Sequence, residues 1–149
     1  MRRWTEGPVA YLFDTDAISE LLRRKPSPAY VLWLGRVARE DQFTSAVTVG
    51  ELFRGAFRSA DRDRHLKNIE ERVLTAVTVL PFDTGVARVY GSLCADLESK
   101  GRKLADADLQ IASTALHHDL TLVTGNLRHF RRVPGLSIET VLADGRVPG

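Results

Sequence analysis

Three acidic residues stand where apolar runs give way to polar sequence. Asp14 directly follows Val9 to Phe13 (VAYLF), Glu51 comes shortly after Gln42 to Val47, and Asp108 follows Leu104-Ala105-Asp106. Asn126 stands in a similar place, just beyond Leu120 to Val123 and Thr124. If the apolar runs are parallel strands, these polar groups share one rim, because α/β sheets gather ligands outside the carboxyl ends of their strands. Carboxylates brought within a few ångströms cannot all stay ionised without a counter-charge. A hard divalent cation with oxygen ligands, magnesium or manganese, is the expected occupant.

Each acid also has a plainer use. Thr48-Val49-Gly50-Glu51 matches a capping box, in which Glu51 only reaches back to the Thr48 amide. Asp83 and Asp106 are good helix N-caps, and for Asp83 capping is the preferred reading. Asp14 is harder to explain this way, since aspartate is disfavoured in strands and this one ends an apolar run beside a second acid, Asp16.

The elements that must position these residues alternate between β-prone runs and stretches of helical period, the pattern of βαβ units. Val9 to Phe13 reads as a first strand, followed by a helix over Ala17 to Arg24 that Pro26 and Pro28 end. A second helix covers about Ala29 to Arg39, and Gln42 to Val47 is a strand running into a helix that begins near Thr48. Asp61 to Leu74 is helical with Leu66, Ile69 and Val73 on one face. Val77 to Leu80 is a strand. Asp83 opens a helix that runs to Lys100, where Gly101 supplies a left-handed residue. Asp106 to His118 is helical, Leu120 to Val123 is a strand, and Leu136 to Ile138 forms a last short one. The expected fold is a three-layer α/β domain, a mainly parallel sheet of four or five strands between helices, in one unit over residues 1–149. Residues 1–8 and 144–149 are expected to be poorly ordered tails.

Bulk properties bound the function loosely. A chain of 149 residues, 44% hydrophobic, buries one sizeable core. One cysteine, Cys94, excludes an intrachain disulfide and suits the cytoplasm. Val9 to Phe13 is too short for a signal sequence, and no run approaches a membrane span. A net charge of +2 permits a nucleic-acid partner without demanding one.

Taken together, LFDTDAISELL (Leu12 to Leu22), TVGELFRG (Thr48 to Gly55), LADADLQIASTALHHDLTLVTGNLRHF (Leu104 to Phe130) and VPGL (Val133 to Leu136) resemble the PIN-domain family. They resemble most its VapC toxin branch, over nearly the whole stretch from Tyr11 to Ile138. The resemblance implies an α/β ribonuclease that uses magnesium or manganese to cut single-stranded or loop RNA, leaving 5′-phosphate and 3′-hydroxyl ends. Transfer or ribosomal RNA is the target class it suggests. Asp14, Glu51 and Asp108 match the family's metal-holding acids, and Asp106 is an accompanying acid. Asn126 stands where many members have a fourth aspartate, which argues against tight binding of a second metal. Thr15 and Thr124 match hydroxyl positions that help hold metal, water or phosphate. Asp16 stands where asparagine or serine is common, and it is also placed to cap the first helix. An antitoxin protein seated in the active-site groove and a homodimer are the implied partners.

Arg54 and Arg58 follow Glu51 on one helix face, and Arg128 and His129 follow Asn126, so either pair could hold RNA phosphates or simply be solvated. His117 and His118 end a helix, where a cation suits the dipole. Tyr30, Trp33, Leu34 and Val37 make an apolar stripe for the core or a partner helix. Two rival functions remain open at this stage. Asp14-Thr15-Asp16 after a strand also marks haloacid-dehalogenase-like phosphatases, with Asp14 as nucleophile and Asp16 as general acid. However, Ile18 departs from that motif and no late Gly-Asp-x-x-x-Asp segment follows. A PIN-like domain that binds RNA or protein without cutting is the second rival, and Asn126 is the residue that supports it.

Overall fold

The computed structural model describes residues 9–146. Five strands form one sheet: β1 (Tyr11–Phe13), β2 (Gln42–Ser45), β3 (Thr78–Leu80), β4 (Thr121–Val123) and β5 (Ile138–Glu139). Their spatial order is β3-β2-β1-β4-β5, and each neighbouring pair is parallel. The chain moves outward from β1 through β2 to β3, then crosses to the other side of β1 for β4. The sheet therefore reverses its strand order between β1 and β4, and the carboxyl ends of strands at such a switch point are where α/β sheets bind ligands.

Strand alternation sends successive side chains to opposite faces, and each face carries its own core. Leu12 and Leu122 join Leu93, Leu97, Leu109 and Ile111 on one side. These come from α5 (Thr84–Ser99) and α6 (Asp106–His117), which pack on each other. Phe13 and Val123 join Ile18, Tyr30, Leu52 and Val73 on the other side. That layer is built from α1 (Thr15–Leu21), α2 (Pro28–Leu34), α3 (Ala46–Arg58), α4 (Arg62–Asn68) and a π turn over Ile69–Val73. Among the described residues there are also two short helices, α7 (Leu127–Phe130) and α8 (Val141–Asp144), and α8 packs on α2. The three-layer α/β architecture is the one expected, with every strand parallel.

Several boundaries differ from expectation for local reasons. The helix over Ala29 to Arg39 starts at Pro28 and ends at Leu34, because the Ser27 hydroxyl accepts from the Tyr30 amide and proline suits a first helical position. Pro28 thus opens a helix instead of ending one. β2 stops at Ser45, whose hydroxyl caps α3 by accepting from the Thr48 amide at 3.0 Å. Trp33 meets Tyr11 edge to face at 5.0 Å and stacks near Tyr30, so the aromatic stripe of α2 belongs to the core. Asp83 caps α5 through the Val86 amide, and Gly101 takes a positive φ of 67° after that helix. The expected tail from Asp144 is corrected in part: Asp144 closes α8, and Arg146 makes ion pairs with Asp16 and Glu20. The expectations for residues 1–8 and 147–149 lie outside the described residues. Among the described residues no helix is long and apolar enough to cross a membrane.

The fully buried Tyr30 donates its hydroxyl to the Ala17 carbonyl at 3.0 Å, tying α2 to α1. Tyr30→Phe should lower unfolding free energy by about 1 kcal/mol. Urea denaturation would show this as a lower midpoint at unchanged slope.

Candidate active site

Asp14 lies at the switch point between β1 and β4, directly after β1. Its amide donates to the Val123 carbonyl at 3.2 Å, continuing the strand pairing by one residue. Its side chain caps α1 by accepting from the Ala17 amide at 2.7 Å and also accepts from the Thr124 hydroxyl. The Thr124 oxygen in turn accepts from the Asn126 amide at 2.9 Å. Asp14 is only 4% exposed. Burial pushes its carboxyl up to about 7, and the charges of Asp16 and Asp108 push the same way. The hydrogen bonds from Thr124 and Ala17 offset only part of the rise. Among the described residues no cationic side chain forms an ion pair with Asp14.

Glu51 reaches the same region from α3. Because Ser45 is the N-cap, Glu51 falls in the second turn of the helix, and the capping-box reading fails. It accepts instead from the Thr15 hydroxyl at 2.5 Å, next to Asp14 in the chain, and Thr15 lies 3.3 Å from the Thr48 hydroxyl. Thr15 and Glu51 border an open cavity of about 360 Å³ that continues past Ser19, Arg23 and Ala56 to His65.

Asp108 approaches from the first turn of α6. Its carboxylate lies 3.4 Å from Nδ1 of His129, and the Asn126 amide nitrogen lies 2.9 Å from that same nitrogen. One imidazole nitrogen cannot both donate to Asp108 and accept from Asn126, so the tautomer of His129 decides which residue it holds. His129, expected only to flank RNA, is therefore a neighbour of the third acid. Arg54, Arg58 and Arg128 are exposed and make no ion pair among the described residues.

Two acids are used differently from expectation. Asp106 does not cap α6, whose N-cap is Ala105, and it accepts from the Tyr90 hydroxyl at 3.3 Å on α5. Asp16 does not cap α1, since Asp14 does. Its two oxygens take a fork from Arg146 at 2.7 and 3.0 Å, and one also accepts from the Gly125 amide at 3.2 Å. This engagement speaks against Asp16 as the general acid of a phosphatase. Glu20, Arg146 and Tyr90 escaped the sequence reading. An acid at i and i+4, Asp16 and Glu20, was the available signal for the first, while nothing local points to Arg146.

The expected convergence of Asp14, Glu51 and Asp108 is incomplete. Among the described residues no three histidine, cysteine, aspartate or glutamate side chains form a ready set of metal ligands. Asp14 and Asp108 are close enough for their charges to interact, and Glu51 is joined to the residue after Asp14 through Thr15.

A PIN-domain family model matches residues 11–136. The chain is 36% identical over 124 residues to Toxin FitB of Neisseria gonorrhoeae, covering 80% of this chain and 89% of that one. It is 32% identical over 129 residues to the tRNA(fMet)-specific endonuclease VapC of Salmonella typhimurium, covering 87% and 96%. The crystal structure of FitAcB from Neisseria gonorrhoeae superposes with a TM-score of 0.80 at 32% identity, covering 88% of this chain and 97% of that one.

The Asp14 carboxyl sets a pH dependence whose sign is definite. A folded-state value of about 7 against an ordinary 3.8 means that stability is full below about pH 4 and is lost as the pH rises through about 7. The loss is on the order of 4 kcal/mol. Asp14→Asn keeps an acceptor for the Ala17 amide, so in EDTA the variant should lose less stability over this window and be the more stable protein at pH 8. Chemical denaturation from pH 4 to 8 checks this, and parallel curves for the two proteins would contradict it.

Proposed function

Since the chain belongs to the PIN-domain family, we propose that it is a VapC-type toxin, an endoribonuclease that cuts single-stranded or loop RNA and is neutralised by a cognate antitoxin. The observation that carries the catalytic reading is Asp14. A carboxylate buried at the sheet's switch point, near the charge of Asp108 and lacking a cationic partner among the described residues, gains most from a bound cation.

The donor chemistry suits magnesium. This ion keeps several waters and needs only one or two carboxylates, so it does not require a complete three-acid cage. Asp14 and Asp108 would hold it directly, and Glu51 through water. When bound, such an ion activates water and stabilises the leaving oxygen in phosphodiester hydrolysis. Manganese is the alternative with the same ligand preferences.

The remaining tasks fall to the chain itself. Thr15 orients Glu51 toward the site, where a carboxylate free of direct ligation can accept a proton from water. Thr124 fixes the Asp14 carboxylate while holding the Asn126 amide. Asn126 supplies a neutral amide to His129, which keeps one charge fewer in the site than an aspartate would. Arg54, Arg58 and Arg128 provide solvated positive charge for RNA phosphates. Residues 1–149 act as one cytoplasmic domain in this proposal, pairing as a homodimer, with transfer or ribosomal RNA as substrate. Asn126 and the incomplete acid set also fit an RNA-binding domain that does not cut.

The partner-free protein, incubated with structured RNA and magnesium, should cleave it. Asp14→Asn and Asp108→Asn should each lower the rate at least about a hundredfold, and EDTA should abolish it. Intact RNA in both magnesium and manganese would favour the binding reading.

A further inference from the structure

We infer that Arg146 is a positioning residue for the active site: it clamps Asp16 against the Gly125 amide, fixing the turn from Thr124 to Asn126 and keeping the Asp16 carboxylate off the cation at Asp14. The second half of this inference rests on the nuclease reading above. Asp16 is two residues from Asp14, and its charge is felt there. Left free, it would be a further oxygen ligand beside the site. The fork from Arg146 occupies both of its oxygens, at 2.7 and 3.0 Å.

The clamp is built on several sides. Arg146 Nη2 also donates to Glu20 Oε1 at 2.8 Å, and the Glu20 side chain is only 4% exposed. Glu20 is held further by the Ser27 amide at 2.9 Å and by Arg23 at 3.3 Å. A bidentate guanidinium pair anchored on a buried carboxylate is more directional than a surface ion pair. Gly125 completes it from the site's side. A Cβ there would overlap both the Arg146 guanidinium and the Asp16 carboxylate, so the turn passes closely over the pair and a larger residue would have to push the two side chains aside. The next residue is Asn126, whose side-chain amide shares the His129 Nδ1 neighbourhood with Asp108. Arg146 also lies beyond the stretch matched by the family model, residues 11–136.

The test uses the full chain, free of partner, as Arg146→Ala, Arg146→Lys, Asp16→Asn and the double variant Arg146→Ala/Asp16→Asn. Hydrogen exchange at the Gly125 amide, read by NMR without metal, should quicken about tenfold in Arg146→Ala. Magnesium binding by calorimetry should tighten severalfold, because the freed carboxylate adds charge, while kcat on RNA falls about tenfold and KM stays within about twofold. Arg146→Lys, a point charge without the fork, should fall between wild type and alanine. Asp16→Asn retains an acceptor for Gly125 and should return magnesium affinity and kcat in the double variant to the values of Asp16→Asn alone.

If Arg146→Ala lowers only the melting temperature, leaving Gly125 exchange, magnesium affinity and kcat unchanged, the residue merely staples the tail and the inference fails. A double variant that stays as impaired as Arg146→Ala overturns the role assigned to Asp16. A wild type that neither binds magnesium nor cuts RNA overturns the nuclease reading instead, and Gly125 exchange still decides whether Arg146 fixes the turn.

Discussion

The Asp14 carboxylate is buried at the one point of the sheet where connections leave in opposite directions, and the surrounding architecture is arranged about it. Its backbone extends the β1 to β4 pairing, its side chain starts α1, and its remaining acceptor capacity receives the Thr124 hydroxyl from just beyond the neighbouring strand. Removing a charge from water is costly unless it is paired. Two neutral donors reduce that cost without cancelling it, which is why the carboxyl is held near neutrality. The same interactions that join strand to helix therefore leave an acid whose charged form is poorly compensated.

The other acids near this point have been dealt with one by one. Asp16 and Glu20 are neutralised by arginine, Asp106 is turned toward Tyr90, and Glu51 is held by a hydroxyl. Asp108 has an imidazole beside it that is also within reach of Asn126. Charge at the rim is thus graded across a few residues, from fully compensated at Asp16 to uncompensated at Asp14. A uniform cluster of ionised carboxylates would have been self-repelling. The graded arrangement leaves Asp14 as the carboxylate with the least charge compensation.

Much of this could be read from order and type along the chain. Short runs such as YLF and TLV, separated by helical stretches, announce parallel βαβ units, and an aspartate ending the first run announces a rim. Asp83 and Gly101 declare their helix ends because capping depends on residues close in sequence. The same local logic failed at Thr48 and Asp106. At α3 the cap falls three residues before Thr48, on Ser45, which bonds to the Thr48 amide, while at α6 Asp106 lies one residue inside the helix and is drawn to a tyrosine on α5.

What the sequence determined by itself was the alternation of elements, the apolar faces and the identity of the acids, all set by periodicity and chemistry within a few residues. Which acids face one another was decided only by the tertiary structure, because pair distances depend on strand order and helix tilt. Arg146 is the clearest case. It lies 130 positions from Asp16 along the chain, yet the two form a two-point pair under Gly125. Folding alone brings that guanidinium and that carboxylate together, since local spacing carries no information about a contact closed by the whole sheet.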